Sequence, residues 1–171
     1  MQLLVCGLVG ICAAGGCAPQ TLPSGDLDGR HLEPPPGREV GPDAPWPLWP
    51  QRMRIHPLSQ FVTEKGSGDV LIEARIEFVD VHGDTCKAVG LIDIDLHDAD
   101  AARYTSEAIT SWNADLWDLE VNNDLYDEVT RTYLFRLQLD EHPIPLEPEL
   151  RAYFLSGDGK RLQATYQLRS P

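Results

Sequence analysis

The cleanest alternation of apolar and polar positions runs from Asp69 to Val79. Val70, Ile72, Ala74, Ile76 and Phe78 fall on one side of it; Leu71, Glu73, Arg75 and Glu77 fall on the other. Successive side chains of a strand point to opposite faces, so this pattern predicts a strand buried on one face. Cys86 to Leu96 repeats it, with Cys86, Ala88, Gly90, Ile92, Ile94 and Leu96 inward and Lys87, Asp93 and Asp95 outward. His82-Gly83-Asp84 between the two runs supplies turn chemistry, so the runs are expected to pair as a long hairpin. Thr130 to Asp140 alternates with Tyr133, Phe135, Leu137 and Leu139 inward and Thr132, Arg136 and Gln138 outward. Glu149 to Ser156 and Arg161 to Arg169 flank Gly157-Asp158-Gly159-Lys160, whose Asp-Gly step is the strongest hairpin signal in the chain. Their inward sets are Leu150, Ala152 and Phe154, then Leu162, Ala164, Tyr166 and Leu168. Arg52 to Pro57 reads as an opening strand and Glu107 to Trp117 as a weaker one. No helix of ordinary length is marked, and Ala101 to Ser106 could form one short turn. About seven strands with frequent turns predict an all-β, antiparallel β-sandwich over residues 51–171, Ig-like or transthyretin-like.

The N-terminal third follows neither period. Leu3 to Ala14 is an apolar run of twelve residues, and it ends in the small residues Ala14-Gly15-Gly16 before Cys17. Its length suits the apolar segment of an export signal and falls short of a bilayer span. Residues 18–50 then carry nine of the fourteen prolines and few apolar side chains before Trp46. Such a stretch buries too little to offset its ordering entropy, and its prolines favour polyproline II, so it reads as a disordered tether. Pro34-Pro35-Pro36 would also suit an aromatic groove, but a spacer needs no partner. Trp46 and Trp49 are expected to mark where the chain docks on the folded domain.

The run ending in small residues before Cys17 resembles the signal of bacterial lipoproteins. That resemblance covers residues 1–17, with Ala14 where the family favours Leu. It implies a signal peptide over residues 1–16 and a lipid-modified Cys17 as the first mature residue. It also implies attachment to the cell envelope through N-terminal acyl chains. Ala18 follows Cys17, where an Asp often retains family members at the inner membrane, so the resemblance points to the outer membrane, facing the periplasm or the cell surface.

A net charge of −13 argues against nucleic acid and against electrostatic adhesion to anionic lipid. Half of the 22 acids from residue 51 onward fall within 93–128, against a single base, Arg103. Asp93, Asp95, Asp98, Asp100, Asp118, Asp124 and Asp127 are therefore the candidates for a solvated acidic face that could dock another envelope protein. A calcium loop over Asp93–Asp100 is the competing reading, but the stretch lacks the glycine and the terminal glutamate of an EF-hand.

Three of the four cysteines lie at or before the expected cleavage site, which leaves Cys86 as a lone, buried thiol. His31, His56, His82, His97 and His142 show no zinc spacing, and no nucleophile elbow, phosphate loop or dinucleotide fingerprint is present. The expectation is a cell-envelope lipoprotein without metal or cofactor that presents a non-catalytic binding or assembly module. A secreted, ligand- or calcium-binding sandwich is the alternative, and a hydrolase comes third.

Overall fold

The computed structural model describes residues 48–100, 107–139 and 142–170, with the backbone alone of Thr21 and Leu22. The strands are β1 (Thr21–Leu22), β2 (Arg52–Ile55), β3 (Gln60–Thr63), β4 (Val70–Val79), β5 (Gly90–Asp98) and β6 (Thr110–Asp115). A short helix α1 (Leu119–Leu125) precedes β7 (Tyr126–Asp127), β8 (Thr132–Gln138), β9 (Pro148–Ser156) and β10 (Arg161–Gln167).

Two sheets result. In the first, β4 lies between β8 and an edge made of β2 and β3, while β7 and β1 lie along the other side of β8. The second has the order β10-β9-β5-β6. All pairings are antiparallel except β1 with β8, where Thr21 pairs with Arg136 and Leu22 with Leu137. β2 and β3 both pair with β4. Ile55 faces Ile76 and Gln60 faces Glu73, so four residues, His56–Ser59, stand opposite two. They form one edge strand interrupted by a bulge, which twists the edge and breaks its line of unpaired groups.

Alternation explains the core between the sheets. Ile72, Ala74, Ile76 and Phe78 of β4 and Tyr133, Phe135 and Leu137 of β8 are buried against Ile92, Ile94 and Leu96 of β5 and Leu150, Ala152 and Phe154 of β9. Phe78 meets Phe154 across the two sheets at 4.5 Å between ring centroids and meets Tyr133 edge-on at 5.7 Å. Each such pair adds roughly 0.5–1.5 kcal/mol to the burial of its rings.

The expected hairpin between the runs at 69–79 and 86–96 does not form. β4 belongs to the first sheet and β5 to the second, and residues 80–89 cross between them. Alternation says which side chains face the core, but both sheets face the same core, so the phase of a run does not name its sheet. The crossing begins with a single bridge, Val79 with Thr85, and the Cys86 amide donates to the Phe78 carbonyl. Asp80 holds the turn by accepting from the amides of His82 and Asp84 at 2.8 and 3.1 Å. Cys86 therefore precedes the strand and is half-buried, not enclosed as expected.

Some expected details change. Leu71 and Thr132 stand in outward phase yet are buried. Thr132 lies beneath Arg75 and pairs with Asp127 of β7, while Leu71 pairs with Val62 of β3 and Gln138 of β8. Leu162, Ala164 and Tyr166 are inward but only half-buried, because β10 is an edge. The β9–β10 hairpin forms as expected, closed by the Ser156 amide on the Lys160 carbonyl, with Gly159 at φ +84°. That left-handed conformation favours glycine. At the start of β5, a β-carbon on Gly90 would overlap the Leu155 carbonyl oxygen and the Phe154 ring.

Candidate functional site

The acidic series does not gather on one face. Asp93 and Asp95 lie on the outer face of the second sheet, on β5. Asp98 and Asp100 lie where β5 ends. Asp118 and Asp124 belong to α1 and its cap, which follow the opposite end of β6. Asp127 sits on β7, on the first sheet, and bonds Arg75 at 2.7 Å. Several of these carboxylates close turns. Asp98 accepts from the Asp100 amide, Asp115 from Trp117, Asp118 from Glu120 and Val121, and Asp127 from Val129 and Thr130. An Asp side chain reaches the amide two residues on, which makes it a turn and cap former as well as a charge. Part of the acidic excess is thus the chemistry of short connections. The turn expected at Ala101–Ser106 lies outside the described residues, as do Cys17, His31, Trp46 and Asp140.

Two polar clusters have built geometry. The first is internal. Asn122 of α1 donates to the carbonyls of Ala88 and Leu116, each at 2.7 Å, and accepts from the Tyr133 hydroxyl at 2.9 Å. The Ala88 amide donates to the same hydroxyl at 2.9 Å. These groups tie α1, the crossing after β4 and β8 into one satisfied network. Burial raises the Tyr133 phenol far above its ordinary range, so it stays a neutral donor. Nearby, Lys87 donates to Asn123 and stands 4.7 Å from the Tyr126 ring centroid. Burial, then the Asp80 charge, pushes the Cys86 thiol up to about 11. That opposes thiolate formation and with it nucleophilic chemistry.

The second cluster is on the outer face of the second sheet. Asp95 of β5 is in register with Arg151 of β9, and His97 with Glu149. Arg151 donates to Glu149 at 2.7 Å. His97 is 3% exposed although it points away from the core. Its Nδ1 lies 3.1 Å from the Glu107 carbonyl oxygen, and its Nε2 has no hydrogen-bond partner among the described residues. The nearest carboxylate oxygen, on Asp95, is 4.0 Å from Nε2. Burial, then the charge of Arg151, lowers the His97 pKa from its ordinary value, against the opposite pull of Asp95, the Glu107 carbonyl and Glu149. Sequence reasoning counted His97 among the histidines but had no signal to single it out. An outward-phase histidine looks solvated until its contact with the Glu107 carbonyl is seen.

A groove of about 690 Å³ opens beside the starts of β4 and the end of β8, lined among others by Glu64, Asp69, Leu71, Gln138, His142 and Ile144. Among the described residues, no group of three or more His, Cys, Asp or Glu is placed to hold a metal ion. No described helix is long and apolar enough to cross a membrane. No protein-family description, no curated protein and no solved structure matches the chain.

Proposed function

We propose that the chain is a cell-envelope lipoprotein in which Cys17 carries the lipid, residues 18–50 act as a spacer whose end docks through Trp49, and the sandwich is presented as a non-catalytic binding or assembly module. The observation that supports this reading is that the sandwich is built almost wholly from the chain after the proline-rich stretch, with β1 alone, within that stretch, paired to β8. Apart from the two-residue β1, both sheets are built from residues 52–167, so 31 residues lie between Cys17 and Trp49. Released from the β1–β8 pairing and extended as polyproline II, such a spacer would reach roughly 90–100 Å. The surface presented is the polar outer face of the second sheet, where Asn113, Gln163 and Gln167 are exposed.

The strand order also supports an Ig-like reading of the sandwich. With β2 and β3 taken as one interrupted strand and the two-residue β1 and β7 set aside, seven strand positions remain. The first sheet then holds positions one, two and five, and the second holds four, three, six and seven. That is the immunoglobulin arrangement with its fourth strand moved to the second sheet.

Detergent phase partitioning tests the anchoring. Stable attachment needs two or more acyl chains, so the native protein is expected in the detergent phase and the Cys17→Ser variant in the aqueous phase. Wild-type protein in the aqueous phase would contradict the proposal.

A further inference from the structure

The outer edge of β10 is open. At the two ends of its pairing with β9, the Ser156 amide donates to the Lys160 carbonyl and the Leu168 amide to the Pro148 carbonyl, so Leu162, Ala164 and Tyr166, in phase with these, carry the bonds to β9. The backbone groups of Gln163, Thr165 and Gln167 therefore point away from β9, and among the described residues no strand pairs with them. All three residues are exposed. Other edges are guarded. β2 and β3 are separated by the bulge at His56–Ser59, and β6 is tied across to the first sheet by the Trp112 indole, which donates to the Gln138 carbonyl at 3.0 Å. Between Arg161 and Gln167 there is no proline, lysine or bulge, the devices that keep an edge from pairing with another chain.

The strand that fits this edge is β10 itself. Ala164 is the middle residue of Arg161–Gln167. Antiparallel pairing about a two-fold axis at Ala164 sets Gln163 opposite Thr165, Arg161 opposite Gln167 and Leu162 opposite Tyr166 of the second copy. Gln163 and Thr165 then exchange both backbone bonds on either side of the axis. No like charges meet, the polar side chains share the outer face, and the half-buried Leu162, Ala164 and Tyr166 gain cover on the inner one. Moving the axis to Thr165 would set Arg161 against Arg169. Moving it to Gln163 would set Lys160 against Tyr166 and shorten the overlap to residues 161–165.

We propose that two copies of the chain pair through β10 about a two-fold axis at Ala164, joining their four-stranded sheets into one. The same patch serves on both copies, so the contact closes on itself, ends at a dimer and leaves no β10 edge open. The outer faces of the two second sheets become one continuous polar surface. The pairing needs neither lipid nor Cys17, so it stands or falls apart from the anchoring proposed above. A contact made by one strand edge belongs to the small, transient class of interfaces, and the dimer is expected to dissociate on dilution.

Analytical ultracentrifugation of the chain from residue 17 onward, with Cys17→Ser to exclude acyl chains and a stray thiol, tests this. At about 100 µM the protein is expected to sediment mainly as a dimer. Gln163→Lys together with Thr165→Lys places like charges opposite each other on both sides of the axis, and is expected to weaken the dimer at least tenfold. Both side chains are exposed, so the fold is expected to keep its melting temperature. A second variant reads the register. Ala164→Cys puts a thiol next to its own symmetry mate in a pair without backbone bonds, close enough for a disulfide. Mild oxidation is expected to give a covalent dimer whose linked peptides join at position 164. A monomer at about 100 µM, a dimer that the lysine pair leaves intact, or a dimer that Ala164→Cys does not lock through position 164 would overturn the proposal.

Discussion

The Trp49 indole lies against the backbone of Gly157, so closely that a β-carbon there would stand 2.5 Å from its Cη2 and 3.1 Å from Cη2 of Trp117. The first well-packed residue of the domain is thus seated on the turn that joins its last two strands. This is the docking expected for Trp49 from its place at the end of the proline-rich stretch. Gly157→Ala is expected to displace one or both indoles and to cost about 1–3 kcal/mol, as overpacking does. Chemical denaturation followed by tryptophan fluorescence checks it, with a red-shifted native spectrum as the sign that Trp49 has lifted. An unchanged spectrum and midpoint would show that the indole does not seat there.

The Asn122–Tyr133 network predicts a graded series. Tyr133→Phe removes one hydroxyl and is expected to cost about 1–2 kcal/mol, whereas Asn122→Ala removes three hydrogen bonds, strands the Leu116 carbonyl and leaves the Ala88 carbonyl to the Tyr133 hydroxyl alone, and is expected to cost about 2–4 kcal/mol. Because both belong to one network, the double variant should lose less than the sum of the two. Simple additivity in urea denaturation would argue that the groups act separately.

Strands and turns were legible in the sequence to different degrees. Ile72–Phe78, Tyr133–Leu137 and Leu150–Phe154 announced their buried faces because every second residue is apolar. Gly157–Lys160 announced its turn because Gly159 meets a backbone demand few other residues meet. The sheet to which β5 belongs was not legible, since its alternation serves either layer equally. Helix α1 was missed because seven residues are too short for a helical period to emerge. Its one local signal was Asp118, whose carboxylate caps the amides of Glu120 and Val121. Asp118 was instead counted as part of an acidic face. The same confusion of turn-forming with charge-bearing Asp recurs at Asp98 and Asp127. His97 was invisible as a site because its outward phase gave no sign that it is buried.

Asp127 carries an acid-range prediction. The Arg75 hydrogen bond, helped by the Thr130 and Val129 amides, lowers its carboxyl to about 2 from an ordinary 3.8. A carboxylate depressed in the folded state adds stability at pH values above the unfolded pKa and loses it as pH falls through the folded one. The contribution is therefore complete above about pH 4 and disappears between about 3.8 and 2. The Asp127 side chain is 26% exposed, so solvent screening reduces the expected effect to about 1 kcal/mol. Asp127→Asn should be less stable than wild type at pH 6 by that amount and converge with it near pH 2. A gap that stays constant with pH would refute the linkage.

Cys86 should be a slow thiol. With its pKa near 11, its thiolate fraction at pH 8 is on the order of a hundredfold below that of an ordinary cysteine. Iodoacetamide labelling of the native Cys17→Ser protein, with the export segment removed, is expected to be slower than labelling in urea by about that factor. Equal rates would show that neither burial nor the neighbouring Asp80 protects it.

The proposed lipid on Cys17 is the centre of this account, and the mass of the N-terminal peptide tests it most directly. Protein extracted from envelopes should yield, after proteolysis, a first peptide that begins at Cys17 and carries a diacylglyceryl group on its sulfur. The corresponding peptide of Cys17→Ser should lack any lipid mass. A wild-type peptide that begins at another residue, or that begins at Cys17 with a free thiol, would contradict the account.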